Sequence, residues 1–435
     1  MPSACHRARF AAGAALTALL TGALVRAQST PDFRVSTRLV EVDVLVSRKG
    51  HPVAGLSKDD FSIFDNGRPQ KIAAFRVAGA DSRLPESALP PGVVSNRPVS
   101  REGESAGITV LLIDRLNTDV GDQAEVRRQL LNYLETAPTG ERLALYSLNK
   151  SLRVVQDFTA DPEVLRSAAS SRASAESSFD LTAELFTEDL PVTGDALTDD
   201  MIQNGANELK DFAMKNRAAV TVAALEAIAK HLAALGGRKK LVWFTAAFPA
   251  QYRWQGRRNG RTQIEDRDFA NEIDNAARAL NDANIAVYPI DPRNPIDGAF
   301  TAPGIDTMNL LAGKTGGRAF YVLDDLEGAM LTVEQDSEIT YALSYYPSDD
   351  RLDGSYHSIS VKVAKPGVRM RYRKGYFASE SKPPKERQRK AALDEVFLNP
   401  LEATTLGVMA KASVADKPGE YNLDLVLDLH QFHLE

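Results

Sequence analysis

Hydrophobic positions along this chain follow first one period and then another. Leu39-Val40-Glu41-Val42-Asp43-Val44-Leu45-Val46 sets valines on one face against mostly charged residues on the other, which predicts a half-buried strand. Arg48-Lys49-Gly50-His51 reads as a turn, Phe61 to Phe64 as a second strand, Asp65-Asn66-Gly67 as a tight turn and Gln70 to Val77 as a third strand. Residues 33–79 are therefore expected to be a small all-β module. Residues 80–106 carry prolines, serines and glycines without periodicity and read as a linker that lets modules take variable angles.

From residue 107 the period lengthens. Ile108 to Ile113 is a continuous apolar run, the kind buried on both faces in a parallel sheet. Helical spacing covers about Gln123 to Leu134, and strands follow at Arg142 to Leu148 and Leu152 to Phe158. Pro162 opens a helix, 167–205 reads as an irregular Ser- and Asp-rich insertion, and Lys215 to Leu235 is a strong helix ended by Gly236-Gly237. Then come strand Leu241 to Phe244, helix Phe269 to Ala283, strand Ile285 to Ile290, short helix Met308 to Ala312, strand Arg318 to Tyr321 and helix Leu326 to Gln335. Strands alternating with helices predict an α/β domain over 107–336. Its expected form is a doubly wound, mostly parallel, Rossmann-like sheet flanked by small all-β modules. The β period returns over 337–378. Residues 379–392 are a charged, solvated spacer, and 393–435 end in the alternating run Leu423 to Leu429, a β segment with few strands of its own.

Composition narrows the class. The 435 residues are 43% hydrophobic and 25% charged, ordinary for globular protein, and the net charge of −6 argues against nucleic acid as a partner. His6, Arg7 and Arg9 precede an uncharged run from Phe10 to Val25, and Val25-Arg26-Ala27 fits signal peptidase. The expectation is a signal peptide at 1–27, export to the periplasm or beyond, and no membrane span after cleavage, since the run is shorter than the ~20 residues a span needs. The single cysteine, Cys5, lies in that leader. The mature chain then has no disulfide, thiolate zinc site or cysteine nucleophile.

An ordered set of segments resembles a known family. Val53-Ala54-Gly55-Leu56-Ser57-Lys58-Asp59-Asp60-Phe61 with Asp65-Asn66-Gly67 and Gln70 comes first, then Leu112-Ile113-Asp114-Arg115-Leu116-Asn117-Thr118. Gly237-Arg238-Lys239-Lys240-Leu241-Val242-Trp243-Phe244 and Ile285-Ala286-Val287-Tyr288-Pro289-Ile290-Asp291 follow. Leu311-Ala312-Gly313-Lys314-Thr315-Gly316-Gly317-Arg318 and Tyr372-Arg373-Lys374-Gly375-Tyr376 complete it. Over about 35–378 the chain resembles von Willebrand factor A (VWA) domain proteins, in particular the acidobacterial VWFA-related family. The resemblance implies an exported protein with a VWA fold.

It also implies a divalent-cation site at the carboxyl edge of the sheet. There the family's Asp-x-Ser-x-Ser is matched by Asp114, Leu116 and Thr118, with Asn117 offering an amide oxygen. One hydroxyl position has become Leu116, and the later aspartate expected near Thr245-Ala246-Ala247 is absent. Thr221 is the nearest candidate for the middle threonine, and Thr245 and Asp291 are expected at the ends of neighbouring strands. Asp114, Asn117 and Thr118 are thus the candidate metal residues of a degenerate site. No cofactor is firmly expected; the strand-end oxygens would suit Mg2+ or Ca2+, with weakly held Mg2+ the first candidate. The alternative for Asp114 is that it caps the segment after its strand without metal.

Other motifs yield to simpler accounts. Gly313-Lys314-Thr315 lacks the earlier glycine of a phosphate loop, that position being Met308. His430 and His433 lie on a predicted strand, where positions three apart face opposite ways. No Gly-x-Ser-x-Gly occurs, and His231 sits mid-helix, where a surface or half-buried role is the default. Asp59-Asp60 and Asp324-Asp325 read as helix caps. The expected function is binding of a protein partner, in adhesion or envelope assembly, through the carboxyl edge of the sheet, with or without the help of a cation whose shell the partner's own Asp or Glu would complete, and not catalysis. The alternative is an extracytoplasmic metal-dependent hydrolase using Asp114.

Overall fold

A computed structural model describes residues 39–79, 91–96, 107–137, 141–171, 192–233, 237–258, 261–293, 304–321, 326–336, 339–349, 351–379, 407–415 and 420–428, with a few single residues besides. Residues 1–27, expected to be a signal peptide, lie outside the described residues, as do Asp324-Asp325, His430, His433 and nearly all of the charged spacer.

The amino-terminal strands are β1 (Val40–Arg48), β2 (His51–Pro52), β3 (Phe61–Asp65), β4 (Arg68–Gln70) and β5 (Ile72–Gly79). The stretch read as a linker contributes β6 (Val93–Ser95). The α/β region then runs β7 (Ile108–Asp114), α1 (Val120–Thr136), β8 (Arg142–Leu148), β9 (Leu152–Thr159), α2 (Pro162–Ser170) and α3 (Ala196–Leu232). It continues with β10 (Lys239–Phe244), β11 (Gln251–Arg258), β12 (Arg261–Asp268), α4 (Ala270–Asp282), β13 (Ile285–Ile290), α5 (Ile305–Thr315) and α6 (Leu326–Gln335). Last are β14 (Ile339–Tyr345), β15 (Asp353–Val363), β16 (Arg369–Arg371), β17 (Gly375–Ser379), β18 (Gly407–Val414) and β19 (Tyr421–Asp428).

The central sheet has the order β13-β10-β7-β8-β9. β13, β10, β7 and β8 pair in parallel and β9 closes the edge antiparallel, so the sheet is mixed, with a parallel centre. Every residue of β7, β8, β10 and β13 is buried, which is why these strands read as continuous apolar runs. Alternate β7 residues feed two apolar clusters. Val110 and Leu112 pack with Leu225 and Ile228 of α3 and Ile273 of α4. Leu111 and Ile113 pack with Leu130 of α1, Leu165 of α2 and Met330 of α6. Apolar layers therefore cover both faces of the sheet.

The two β segments that flank this domain are joined in space. β14 runs antiparallel between β1 and β5, and β15 pairs with β3. One sheet is β16-β1-β14-β5 with β2 alongside β1, and the other is β17-β15-β3-β4. Val40, Val42, Val44 and Val46 of β1 meet Ile63, Ile359 and Val361 of the second sheet in one core. The α/β domain is thus inserted between the two halves of a β-sandwich. A buried polar group pins the halves together. Asp65 accepts hydrogen bonds from Tyr345 (2.9 Å) and Tyr376 (2.8 Å), and its other oxygen lies 2.9 Å from His357 Nδ1.

The sandwich docks at the amino-terminal end of the central sheet. Asn284, before β13, donates to Asp43 of β1 at 2.8 Å. Arg373 donates to the Glu41 carbonyl (2.5 Å) and reaches that of Asn281 at 3.4 Å. Arg278 stands 4.0 Å over the Phe377 ring. Lys239, buried at the start of β10, donates to the Ala283 carbonyl at 2.6 Å. Burial lowers its pKa to about 8, against the opposing charges of Asp43 and Glu41. Gly316 ends α5 with φ 77°, and a Cβ there would lie 2.7 Å from the Arg373 amide nitrogen. This is the reason for a glycine: left-handed backbone and close approach of another chain segment coincide.

Several elements depart from the sequence reading, among them the strand expected at Arg318 to Tyr321, which is a single bridge between Phe320 and Ile290. β11 and β12 form a full antiparallel ladder, Gln251↔Asp268 through Arg258↔Arg261, in a stretch with no apolar run. The hairpin is held on α3 by Asp211, which accepts from Tyr252 (2.5 Å) and Lys215 (2.6 Å) and pairs with Arg267 at 3.4 Å. α3 itself starts at Ala196, inside the expected insertion, where Asp195 caps it through the Thr198 amide. The residues from Val93 to Ser95 pair with β18, and β18 with β19, in a separate three-stranded sheet.

Candidate functional site

Parallel pairing brings the carboxyl ends of three strands together. Ile113 of β7 is opposite Phe244 of β10, and Phe244 opposite Ile290 of β13. The next residues, Asp114, Thr245 and Asp291, therefore share one edge of the sheet, as expected from their positions. All three are buried, Asp114 and Thr245 completely.

Asp114 is surrounded by donors. Its Oδ1 accepts from the amides of Leu116 and Asn117, both at 3.0 Å, in a tight side-chain turn. Its Oδ2 accepts from Asn117 Nδ2 (2.7 Å), Thr245 Oγ1 (2.7 Å) and Trp243 Nε1 (3.1 Å). Burial raises the Asp114 pKa, and the hydrogen bonds from Asn117, Thr245 and Trp243 offset that in part. Asn117 Nδ2 also donates to Thr221 Oγ1 of α3 at 2.8 Å, so the loop, the sheet and the helix meet at one amide. The threonine nominated from sequence is thus beside Asn117.

The rest of the edge bonds to itself. Thr118 Oγ1 accepts from the Ala246 amide at 3.3 Å, and the Thr118 carbonyl accepts from Gln123 Nε2 at 2.7 Å. Asp291 holds Arg293 by its Nε (2.9 Å) and one terminal nitrogen (2.6 Å), and that nitrogen reaches the Ala246 carbonyl at 3.3 Å. Thr245 Oγ1 accepts from the Ala247 amide at 2.7 Å, which fixes Ala247 in the left-handed region, φ 51°. Gly304, φ 96°, packs so closely that a Cβ would stand 2.9 Å from the Ala247 carbonyl oxygen. Strained backbone of this kind persists where its surroundings over-determine it, and it clusters at functional loops. Just outside the net, Asp119 and Val120 are exposed at the start of α1.

The set does not fit a divalent cation. A hard cation needs converging oxygen lone pairs. Here the Asp114 carboxylate is covered by N–H and O–H groups, that of Asp291 is paired with Arg293, the Asn117 amide faces Asp114 through nitrogen with its buried oxygen unpartnered, and the Thr118 hydroxyl already accepts a backbone bond. Among the described residues no three His, Cys, Asp or Glu side chains gather. Trp243 is the participant that sequence reading missed. It lies in an apolar run and looks like core, and only the register with β7 turns its indole N–H toward Asp114.

The remaining candidates fall into structural roles. Gly313-Lys314-Thr315 ends helix α5, so no phosphate loop forms, and Thr315 Oγ1 donates back to the Leu311 carbonyl. His231 is not at the surface but buried, stacked on Phe158 with centroids 6.3 Å apart. Asp60 accepts from the Ser57 amide (2.7 Å) and hydroxyl (3.0 Å) and caps a single turn. Among the described residues no helix is long and apolar enough to cross a membrane.

No protein-family profile matches the sequence, and no curated protein matches it. Solved structures of VWA domains do. A von Willebrand factor type A structure from Catenulispora acidiphila is 9% identical, over 86% of this chain and 74% of that one, with TM-score 0.29. BatB from Bacteroides thetaiotaomicron is 9% identical over 52% of this chain and 96% of its own, with TM-score 0.29. The vWF domain of the type V pili tip protein Mfa5 from Porphyromonas gingivalis is 11% identical over 53% and 94%, with TM-score 0.28. At these values the likeness concerns fold alone.

Proposed function

We propose that this chain is an exported VWA-domain protein that binds a protein partner through the carboxyl edge of its central sheet, in adhesion or envelope assembly. One observation carries the reading. The edge loops are fixed in a strained, internally bonded conformation while Asp119 and Val120, at its rim, stand exposed, Val120 at 58%. A surface ordered in advance loses little entropy on binding. Open α/β sheets with parallel strands take ligands at the carboxyl ends of those strands, which supports this edge as the binding surface. Export rests on the basic start, the uncharged run and Val25-Arg26-Ala27. A hydrolase built on Asp114 would need lone pairs that the five donors already engage.

The test has two arms. N-terminal sequencing of the exported protein is expected to begin at Gln28, and a start at Met1 in the envelope fraction refutes cleavage. A photoreactive residue replacing Val120 should crosslink a partner that the same residue at Tyr356, in the β-sandwich, does not. Equal crosslinking from both positions refutes the edge as the binding surface.

A further inference from the structure

The resemblance to VWA proteins places a cation ligand at Asp114, and the geometry around that carboxylate disagrees. A carboxylate offers roughly four lone-pair sites. Five donors converge on this one, two on Oδ1 and three on Oδ2. A cation approaching Oδ2 would meet the indole N–H of Trp243 and the amide N–H of Asn117 first, each carrying positive partial charge. It would have to displace them from a fully buried position, leaving buried donors unpaired. The second acidic residue of the edge, Asp291, is already matched by the guanidinium of Arg293.

We propose that Asp114 is an internal anchor, that Trp243 and Asn117 hold the place a divalent ion would take, and that this edge is cation-independent. Asp114 joins β7 to β10 through Trp243 and Thr245. Through Asn117 and Thr221 it joins both to α3. Its five partners donate and none accepts, so the charged form suits the site and an amide in its place would set N–H against N–H. The inference stands apart from the partner reading, because an edge without a cation still presents its loops. Failure of the crosslinking test would leave it intact.

The experiment uses the full chain. Mn2+ titrated into the protein should keep the six-line resonance of the free ion, and thermal unfolding in MgCl2 or CaCl2 should match that in EDTA. A site with a dissociation constant of about 50 µM would raise Tm by several degrees at millimolar ion. Asp114→Asn should lower Tm by the same several degrees with and without Mg2+. Loss of the free Mn2+ signal at one equivalent, or a Tm rise with Mg2+ that Asp114→Asn abolishes, overturns the proposal. If Asp114→Asn does not fold, the Mn2+ titration of the unaltered chain decides alone.

Discussion

The two ends of the central sheet handle buried polar groups in opposite ways. At the carboxyl end, Asp114, Thr118, Thr245 and Asp291 are met by groups from the same few loops, all of them inside the α/β domain. At the amino end, Lys239 still bonds within the domain, but Asn284 and Arg373 reach across to or from the β-sandwich. The first end draws its partners from within the α/β domain, although the buried Asn117 Oδ1 has none, and its rim at Asp119 and Val120 is exposed. The second is complete only with the sandwich in place, so sandwich and α/β domain depend on one another. The lesson is that polar residues at a strand end do not by themselves mark a ligand site. What decides is whether their partners are internal, inter-domain or missing.

The sharpest way to break the amino end is steric. Gly316→Val would force a β-branched residue into φ 77° and drive its Cβ against the Arg373 backbone. Left-handed strain and overpacking each cost about 1–3 kcal/mol, so the loss should be about 4 kcal/mol by chemical denaturation. Gly121→Val is the control, since a Cβ at Gly121 meets nothing within 4 Å and that backbone is not left-handed. An equal loss from both would show that the close approach at Gly316 is unimportant.

A second expected effect is a pH dependence specific to that end. Lys239 titrates near 8 in the folded protein against an ordinary 10.5, so between these values the unfolded chain binds more protons and stability rises with pH. Below 8 both forms are protonated and the cost of burying the charge is fully present. The gain should reach about 1 kcal/mol by about pH 9. Tyrosines that burial pushes upward, such as Tyr321 at about 12, oppose it as the pH approaches the ordinary value of 10.0, where the unfolded chain begins to lose their protons, so the window closes near about pH 9. Denaturant midpoints from pH 7 to 9 should rise in the unaltered chain and stay flatter in Lys239→Met. Parallel slopes would remove Lys239 as the cause.

How much of this was legible follows from how local each signal is. The buried parallel strands announced themselves as apolar runs, and Leu326 to Gln335 was read to its ends. The hairpin β11–β12 was missed because its inward face rests on Trp254 and Tyr252 among charges, although Asn259-Gly260 was a turn signal. The first half of α3 was missed because Leu197, Met201 and Phe212 stay exposed, so no buried face gives it a period. Pairing of Val42 with Leu343 leaves no trace near either residue, so the sandwich read as two modules. At the site, Asp114, Asn117 and Thr118 were visible as residue types. That the Asn117 amide points its nitrogen inward, and that Trp243 donates, depends on register and rotamer, which residue types do not encode.

A smaller effect isolates one bond at the amino end. Asn284 sits at φ 53°, which asparagine tolerates and glycine favours, so Asn284→Gly keeps the backbone and removes only the donor to Asp43. The cost should be about 1 kcal/mol. Asn284→Ala should cost more, by the left-handed strain it adds. If glycine restores full stability, the bond to Asp43 contributes nothing and the sandwich is held by its other contacts.

The smallest expected effect lies at the carboxyl end and bears on the cation as well. Thr118 Oγ1 accepts one long bond, 3.3 Å, from the Ala246 amide. Thr118→Val keeps the shape and removes that acceptor, leaving a buried amide whose partner was weak to begin with. The loss should be about 0.5 kcal/mol, below the usual figure for a well-made hydrogen bond. A ligand threonine in an ion site behaves differently, since its loss weakens ion binding and leaves the ion-free protein nearly as stable as before. Chemical denaturation of Thr118→Val in EDTA and in MgCl2 separates the two. Equal small losses in both buffers fit an edge bonded to itself. No loss in EDTA with a clear loss in MgCl2 would make Thr118 a ligand and reopen the site at Asp114.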